Sequence, residues 1–418
     1  MKPAFRKPLL FLILLLCGSA VTVFIELNAP GVDVRFNDLV STIVSEASDS
    51  TRRSDYAVFV KIDSESIAAL GVTADSRVRE YLPALLDTML QAGVSAVVFD
   101  FYFVDEEPEL DPAFIESLNR FPVTVSGTHT GSVDDLNQRL VREFSAIGDL
   151  RFGAGKIPRH FDVTSREPDG ESLVPHLPLV AAELYAEARG IPSDDTLIPW
   201  LSDTEEGPIR FRIPFRKSTV FFPSFSLIEI LQSDGKRIAD ENRTPISILR
   251  GKIVFIGYDL PDKDRYEFPN TFGYKAPGAF GQMFAFESIL NGSRIRVLSG
   301  FRRIVVALSV LICICLILTF GRKNLRLIFA VIVPVIWIAI VVTASIVYLV
   351  HLPLLSVILA VTTAWIGFRI SQRVQLKSRL KIAVGFDPEL LESYRRQIGA
   401  GKGRLSRVTA ILCADIRD

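Results

Sequence analysis

Two kinds of hydrophobic pattern divide the chain. In four places apolar residues run on without a charged side chain, at 9–25, 304–320, 327–350 and 352–368. Each is long enough to cross a bilayer, which takes about 17 to 25 predominantly apolar residues in a helix. Between the first two runs, residues 26–302 carry shorter periods. Tyr56-Ala-Val-Phe-Val-Lys-Ile-Asp63 is rich in β-branched and aromatic residues and ends in an acid. Residues 78–92 then place Val78, Leu82, Leu85, Leu86 and Met89 at helical spacing, with Gly93 at the position of a helix cap. Ser95-Ala-Val-Val-Phe-Asp100 is again a strand closed by a carboxylate. Strand, helix, strand in this order predicts parallel pairing with a right-handed crossover. Lys252-Ile-Val-Phe-Ile-Gly257, followed by a helical run from Ala279 to Leu290, repeats the unit. The expected fold class is an α/β domain placed outside the membrane, accompanied by four transmembrane helices.

Charge adds direction. Lys and Arg number 47 and Asp and Glu also 47, so the chain is neutral overall and is not a general nucleic-acid binder. Basic residues in short loops favour the cytoplasmic side. Lys2, Arg6 and Lys7 before the first run, Arg322, Lys323 and Arg326 between the second and third, and Arg369, Arg373, Lys377, Arg379 and Lys381 after the last all agree with one threading. Segment 1–8 is inside, 26–302 outside, the turn at His351 outside and 369–418 inside. Arg296, Arg302 and Arg303 fall on the opposite side, next to a long translocated domain where the rule is weak. The basic start and the small residues Gly18, Ser19 and Ala20 also fit a cleaved signal peptide. Apolar residues continuing past them favour a retained span. Cys17, Cys313 and Cys315 lie in the apolar runs and Cys413 near the C-terminus, which leaves 26–302 without a disulfide.

Candidate chemistry is sparse. His129, His160, His176 and His351 lack metal-ligand spacing, and Gly153-Ala-Gly-Lys156 and Gly399-Ala-Gly-Lys-Gly403 lack the spacing of a phosphate loop. In a parallel sheet, ligands collect at the carboxyl ends of the strands. Asp63, Asp100, Asp262 and Asp264 would lie near that edge, either lining a ligand pocket or capping neighbouring helices.

The order Asp33-Val-Arg-Phe-Asn-Asp38, Phe59-Val-Lys-Ile-Asp63 with Ser64-Glu-Ser66, Ala96-Val-Val-Phe-Asp100, Ile213-Pro214-Phe215 and Leu249-Arg-Gly-Lys-Ile-Val-Phe-Ile-Gly257 resembles the CHASE type 2 extracellular sensory domain. Ala276-Pro-Gly278 through Phe284-Ala-Phe-Glu287 to Leu290-Asn-Gly292 is similar to that family's closing motif. The resemblance covers roughly residues 31–298. Where the family often has Val-Glu-Ile-His-Ala, this chain reads Phe280-Gly-Gln-Met-Phe-Ala285. Membership implies a multi-pass protein of the bacterial inner membrane, with a periplasmic sensor for an unidentified small-molecule or protein signal, three following spans and a cytoplasmic output module.

Beyond the last apolar run, a linker at 369–406 contains a helix start at Asp387-Pro388-Glu389, with Leu390, Leu391, Tyr394 and Ile398 on one face. Arg407-Val-Thr-Ala-Ile-Leu-Cys-Ala-Asp-Ile-Arg-Asp418 then reads as a strand closed by acids. The arrangement resembles the start of the α+β catalytic domain of class III adenylate and guanylate cyclases, with Cys413 in place of a phenylalanine and Asp418 in place of a glycine. The match implies Asp415, with the backbone carbonyl of Ile416, as ligands for Mg2+ or Mn2+ in a complete cyclase making cyclic AMP or cyclic GMP. The 418 residues alone lack the second metal aspartate and the base-recognising residues, so they are expected to need no cofactor and to be inactive. A homodimer is the expected partner, with Leu376, Leu380 and Ala383 forming a short stripe after the last span. A standalone sensor without catalysis is the second reading.

Overall fold

In the computed structural model the described residues are 3–28, 54–72, 78–128, 136–151, 160–162, 164–166, 173–191, 210–212, 222–233, 245–267, 275–291, 296–298, 300–321, 323–347 and 350–385. They fall into two compact units, one made of residues 34–298 with 340–352, the other of the remaining apolar helices and the chain ends.

The first unit is built on a parallel sheet. In chain order its elements are β1 (Ala57–Asp63), α2 (Ser64–Leu70), α3 (Val78–Ala92), β2 (Ala96–Phe99), α4 (Asp111–Arg120), β3 (Thr124–Thr128), α5 (Gln138–Val141) and β4 (Ala146–Asp149). The short strands β5 (His160–Asp162), β6 (Thr164–Arg166), β7 (Leu173–Pro175) and β8 (Arg210–Arg212) form two antiparallel ribbons, β5 with β8 and β6 with β7, and α6 (Leu177–Ala188) lies between β7 and β8 in the chain. Next come β9 (Ser224–Ser226), α7 (Leu227–Gln232), α8 (Pro245–Leu249), β10 (Ile253–Asp259), β11 (Arg265–Glu267), β12 (Lys275–Pro277) and α9 (Gly278–Leu290). The main sheet has the order β4-β3-β2-β10-β1-β9, all parallel.

The helix expected over 78–92 forms over Val78–Ala92, and Gly93 ends it in the left-handed region at φ 75°. One expectation needs correction. β1 and β2 are parallel members of one sheet but do not pair, because β10 lies between them, with Ala57 opposite Ile253 on one edge and Ala96 opposite Ile253 on the other. A strand flanked on both edges and covered on both faces reads as a continuous apolar run, and Ile253 to Ile256 are fully buried.

Strand residues alternate between two cores. Val58, Val60, Ile62, Val97, Phe99, Val254 and Ile256 face α3, α4, α5, α7 and α8. Ala57, Phe59, Ala96, Val98, Ile253 and Phe255 face α6 and α9. Every residue of α9 from Gly278 to Ile289 is buried, Gln282 and Glu287 among them, so the helix carries no exposed polar face. On the first face Phe99 meets Phe101, Phe103, Phe114 and Phe144 edge-on at centroid distances of 5.6–5.8 Å. Arg79 lies 5.2 Å from the Phe103 ring centroid and is held by Asp111 at 2.7 Å.

The second unit consists of α1 (Pro3–Asn28), α10 (Gly300–Phe320), most of α11 (Lys323–Val347) and α12 (Leu355–Gly385). Among the described residues three helical stretches are long and apolar enough to cross a membrane: Pro8–Leu27, Phe301–Phe320 and Leu355–Leu376. The expected span at 327–350 falls on α11, a helix of 25 residues with Pro334 inside it, whose described apolar stretch is Ile332–Ala344. Helix α1 packs against α10 and α12. Arg303, on the side where basic residues were not expected, is buried in an ion pair with Glu26 at 3.1 Å, which neutralises it. The helix start at 387 and the strand at 407–418 lie outside the described residues, as do Ile213-Pro214-Phe215.

Replacing Phe99 by Ala removes the ring at the centre of the aromatic group and should lower the stability of the solubilised chain by about 3–5 kcal/mol, with Phe99→Leu costing less. Denaturant unfolding monitored by circular dichroism measures both, and equal losses for the two variants would contradict the packing described.

Candidate functional site

Polar chemistry in the α/β unit gathers at the carboxyl edge of the sheet. Reading across it, β4 ends in Asp149, β3 in Thr128, β2 runs into Asp100, β10 ends in Asp259, β1 in Asp63 and β9 in Ser226. Register places Asp63 beside Asp259 and Thr128 beside Asp149. Parallel strands bring these ends to one rim, and apolar runs that stop at an acid mark the point where the chain leaves the core.

Most of this rim is occupied with structural work. Asp63 caps α2: its Oδ1 accepts from the Ser66 amide at 3.0 Å and from the hydroxyls of Ser66 and Ser226 at 2.8 Å each, while Lys61 Nζ stands 3.4 Å from Oδ2. Burial by itself would push this carboxyl up, but the Ser66 amide, the two hydroxyls and the Lys61 charge together hold it below its ordinary value. Asp149 accepts a two-pronged contact from Arg151, Nε at 3.0 and 2.9 Å and Nη2 at 2.7 Å, and the Arg151 amide at 2.8 Å. Asp259 accepts from Arg265 Nη2.

Asp100 is different. It is buried, and its Oδ2 has no hydrogen-bond partner. Its walls are tight, since a Cβ at Gly257 would sit 3.3 Å from Asp100 Cβ and 3.2 Å from Ala279 Cβ. Asp264 stands nearby in the left-handed region at φ 47°, the one non-glycine residue there among the described residues. Its outer surface reaches solvent, but its carboxylate turns back over the start of α9, where a Cβ at Gly278 would lie 2.5 Å from Asp264 Oδ2. Only glycine leaves room for that approach. The Gly278 amide donates to the Asp264 backbone carbonyl at 2.8 Å. Burial, and then the charge of Asp264, push Asp100 far above the usual carboxylate range. Burial raises Asp264 to about 7 against the opposing pull of the Gly278 amide. Tyr266 is raised by burial and by the charges of Asp264 and Asp100.

Of the four aspartates singled out from the sequence, Asp264 acts on Asp100 through its charge, and Asp63 caps a helix. Asp262 is exposed on the turn between β10 and β11 and does not join them. Sequence reasoning missed Asp149, Asp259 and Tyr266, although the first two carried the same signal of an acid closing a strand. Asp415 and Ile416 lie outside the described residues. Among the described residues no three His, Cys, Asp or Glu side chains stand together as a metal centre.

A parallel α/β sandwich with an acidic carboxyl edge is thus bounded in sequence by two candidate membrane helices. The family model for the CHASE2 domain matches residues 9–321, taking in α1 and α10 as well as the sandwich. The chain belongs to the CHASE2 family, whose domain is an extracellular sensor of signalling proteins. No curated protein and no solved structure matches it.

Asp63→Ala should destabilise the protein by about 1 kcal/mol at neutral pH through loss of the α2 cap. Because the folded carboxyl lies below its unfolded value of 3.8, that contribution is present above pH 3.8 and fades as pH falls through the folded value, so wild type and variant should converge in acid. Unfolding midpoints of the two proteins across pH measure this, and a constant difference down to the lowest pH would contradict it.

Proposed function

We propose that the chain is the sensory part of a membrane-bound class III nucleotide cyclase, threaded with residues 1–8 and 369–418 in the cytoplasm and the α/β sandwich outside. The observation that carries the sensor reading is the CHASE2 sandwich set between two helices long and apolar enough to span a membrane. Basic residues before α1, between α10 and α11 and along the end of α12 support the orientation. The pairing of β13 (Arg296–Val297) with β14 (Val350–His351) supports it too, since it sets the residues before α10 beside the turn between α11 and α12. That is the arrangement expected if α10 runs inward, α11 outward and α12 inward again, making four spans.

Helix α12 continues past its apolar stretch, Leu355–Leu376, to Gly385 and so offers a rigid route into the cytoplasm. In a homodimer two such helices would carry a change in the outer domains to the output. The resemblance of Arg407–Asp418 to the first cyclase strand supports the nature of that output. Asp415 and the Ile416 carbonyl would hold Mg2+ or Mn2+, which binds the triphosphate for attack by the ribose 3′ hydroxyl.

Membranes from cells expressing the full natural reading frame should convert ATP or GTP to the cyclic nucleotide with Mn2+, and Asp415→Asn should abolish conversion at unchanged protein level. Membranes with no such activity would overturn the cyclase reading. Orientation has its own test. Glu109 is exposed in the loop before α4 and the outer domain has no cysteine, so Glu109→Cys should react with a membrane-impermeant maleimide on intact spheroplasts. Reaction only after lysis would overturn the threading.

A further inference from the structure

Buried carboxylates are satisfied by hydrogen bonds, by a cation or by a proton, because an unpaired charge in a low-dielectric interior costs several kcal/mol. At the carboxyl edge of this sheet Asp63, Asp149 and Asp259 have the first two kinds of partner. Asp100 does not: its Oδ2 is buried without a donor, and the second carboxylate beside it repels it.

The other groups around it do not relieve this. On β10, Asp259 is matched to Arg265. On the turn and strand that follow, Lys263 lies 5.9 Å from the Tyr258 ring centroid, and Tyr266 is buried beside the two acids. In the loop after β2, Glu107 lies 3.7 Å from Arg79. Helix α9 presents the Gly278 amide and no titratable side chain before Glu287, near its far end, which accepts from Ser54 and Asn291. Backbone at Gly257 and Gly278 fills the space against both carboxylates.

We propose that Asp100 and Asp264 form one proton-binding unit, sharing a proton taken from solvent through the exposed side of Asp264, by which the outer domain registers the acidity of its surroundings. Among the described residues no donor reaches Asp100 Oδ2, and with the close glycine backbone this leaves the proton as the occupant that fits. The Asp264 carboxylate also lies against Gly278, the first residue of α9, where a Cβ would come within 2.5 Å of Oδ2, and α9 leads along the chain into β13 and α10. Loss or gain of the shared proton therefore acts at the first residue of the helix that precedes a candidate membrane span. The physiological meaning rests on the sensor reading above, but the proton-binding step does not, and its test reads the pair whether or not a cyclase follows.

The sign follows from linkage. For a carboxyl raised above its unfolded value the native state holds the extra proton, so its contribution to stability is full below the unfolded value of 3.8 and is lost as pH rises toward about 7. The test compares thermal midpoints of the full chain in detergent for wild type, Asp100→Asn and Asp264→Asn. At about pH 8 each variant should melt about 2–4 °C higher than wild type, and the gain should shrink as pH falls and vanish by about pH 4. Subtracting wild type removes the contribution of other acids such as Glu287. A variant that melts lower at the alkaline end, or a difference that does not change with pH, overturns the proposal. Repeating the alkaline measurement with millimolar Ca2+ or Mg2+ separates the remaining occupant: a rise in wild type that both variants lack makes the pair a metal site and overturns the shared proton. Infrared difference spectra of wild-type membranes between the two pH values give a second reading independent of folding. A protonated-carboxyl band gained in acid and lost in Asp100→Asn supports the pair, and a band unaffected by Asp100→Asn and Asp264→Asn overturns it.

Discussion

The α/β domain depends on the double pairing of β10. Its backbone bonds to β1 along one edge and β2 along the other, and its side chains alternate into both cores. Without it, two early strands would each present an open edge, the arrangement most prone to misassociation. A segment distant in sequence thus closes a sheet begun by the first third of the chain. The pairing is costly to form, since long-range contacts require ordering a large loop before any return is gained. Once formed, it holds α9 against the same sheet.

The same insertion creates the chemistry of the carboxyl edge. Six strands running one way deliver their acids to one rim, and each must find a partner or lose its charge. Asp63 finds an amide and two hydroxyls, Asp149 and Asp259 find arginines, and Asp100 is left facing Asp264. The difference among them lies in the neighbours supplied by elements far away in the chain: Ser226 from β9 serves Asp63, while the turn after β10 brings a second acid to Asp100. Gly257 and Gly278 matter because backbone alone is slim enough to lie against those carboxylates.

Much of this was legible in the sequence, for local reasons. Apolar runs ending in acids marked β1 and β2, the apolar run to Gly257 marked β10, and the helical spacing of Val78 through Met89 with Gly93 behind it marked α3 with its boundaries. The helical run expected from Ala279 to Leu290 is α9, but its burial on all sides was not legible. The place of β10 between β1 and β2 was not legible either, since a continuous apolar strand states that it is central but not beside which partners. The four aspartates looked alike as letters. Only tertiary neighbours separate Asp63, a cap, from Asp100, an orphan, and from Asp262, a solvated turn residue. Arg303 looked misplaced until Glu26 appeared across the helix pair, a contact between segments separated by the whole α/β domain.

Hydrogen exchange of the full chain in detergent addresses the central constraint most directly. If β10 holds the two halves together, the amides of β1, β2 and β10 open only in the unfolding of the whole sandwich, and Val58, Val97, Val254 and Ile256 exchange with one common free energy. Exchange of Val254 and Ile256 in a smaller opening that leaves β1 and β2 protected would contradict the account.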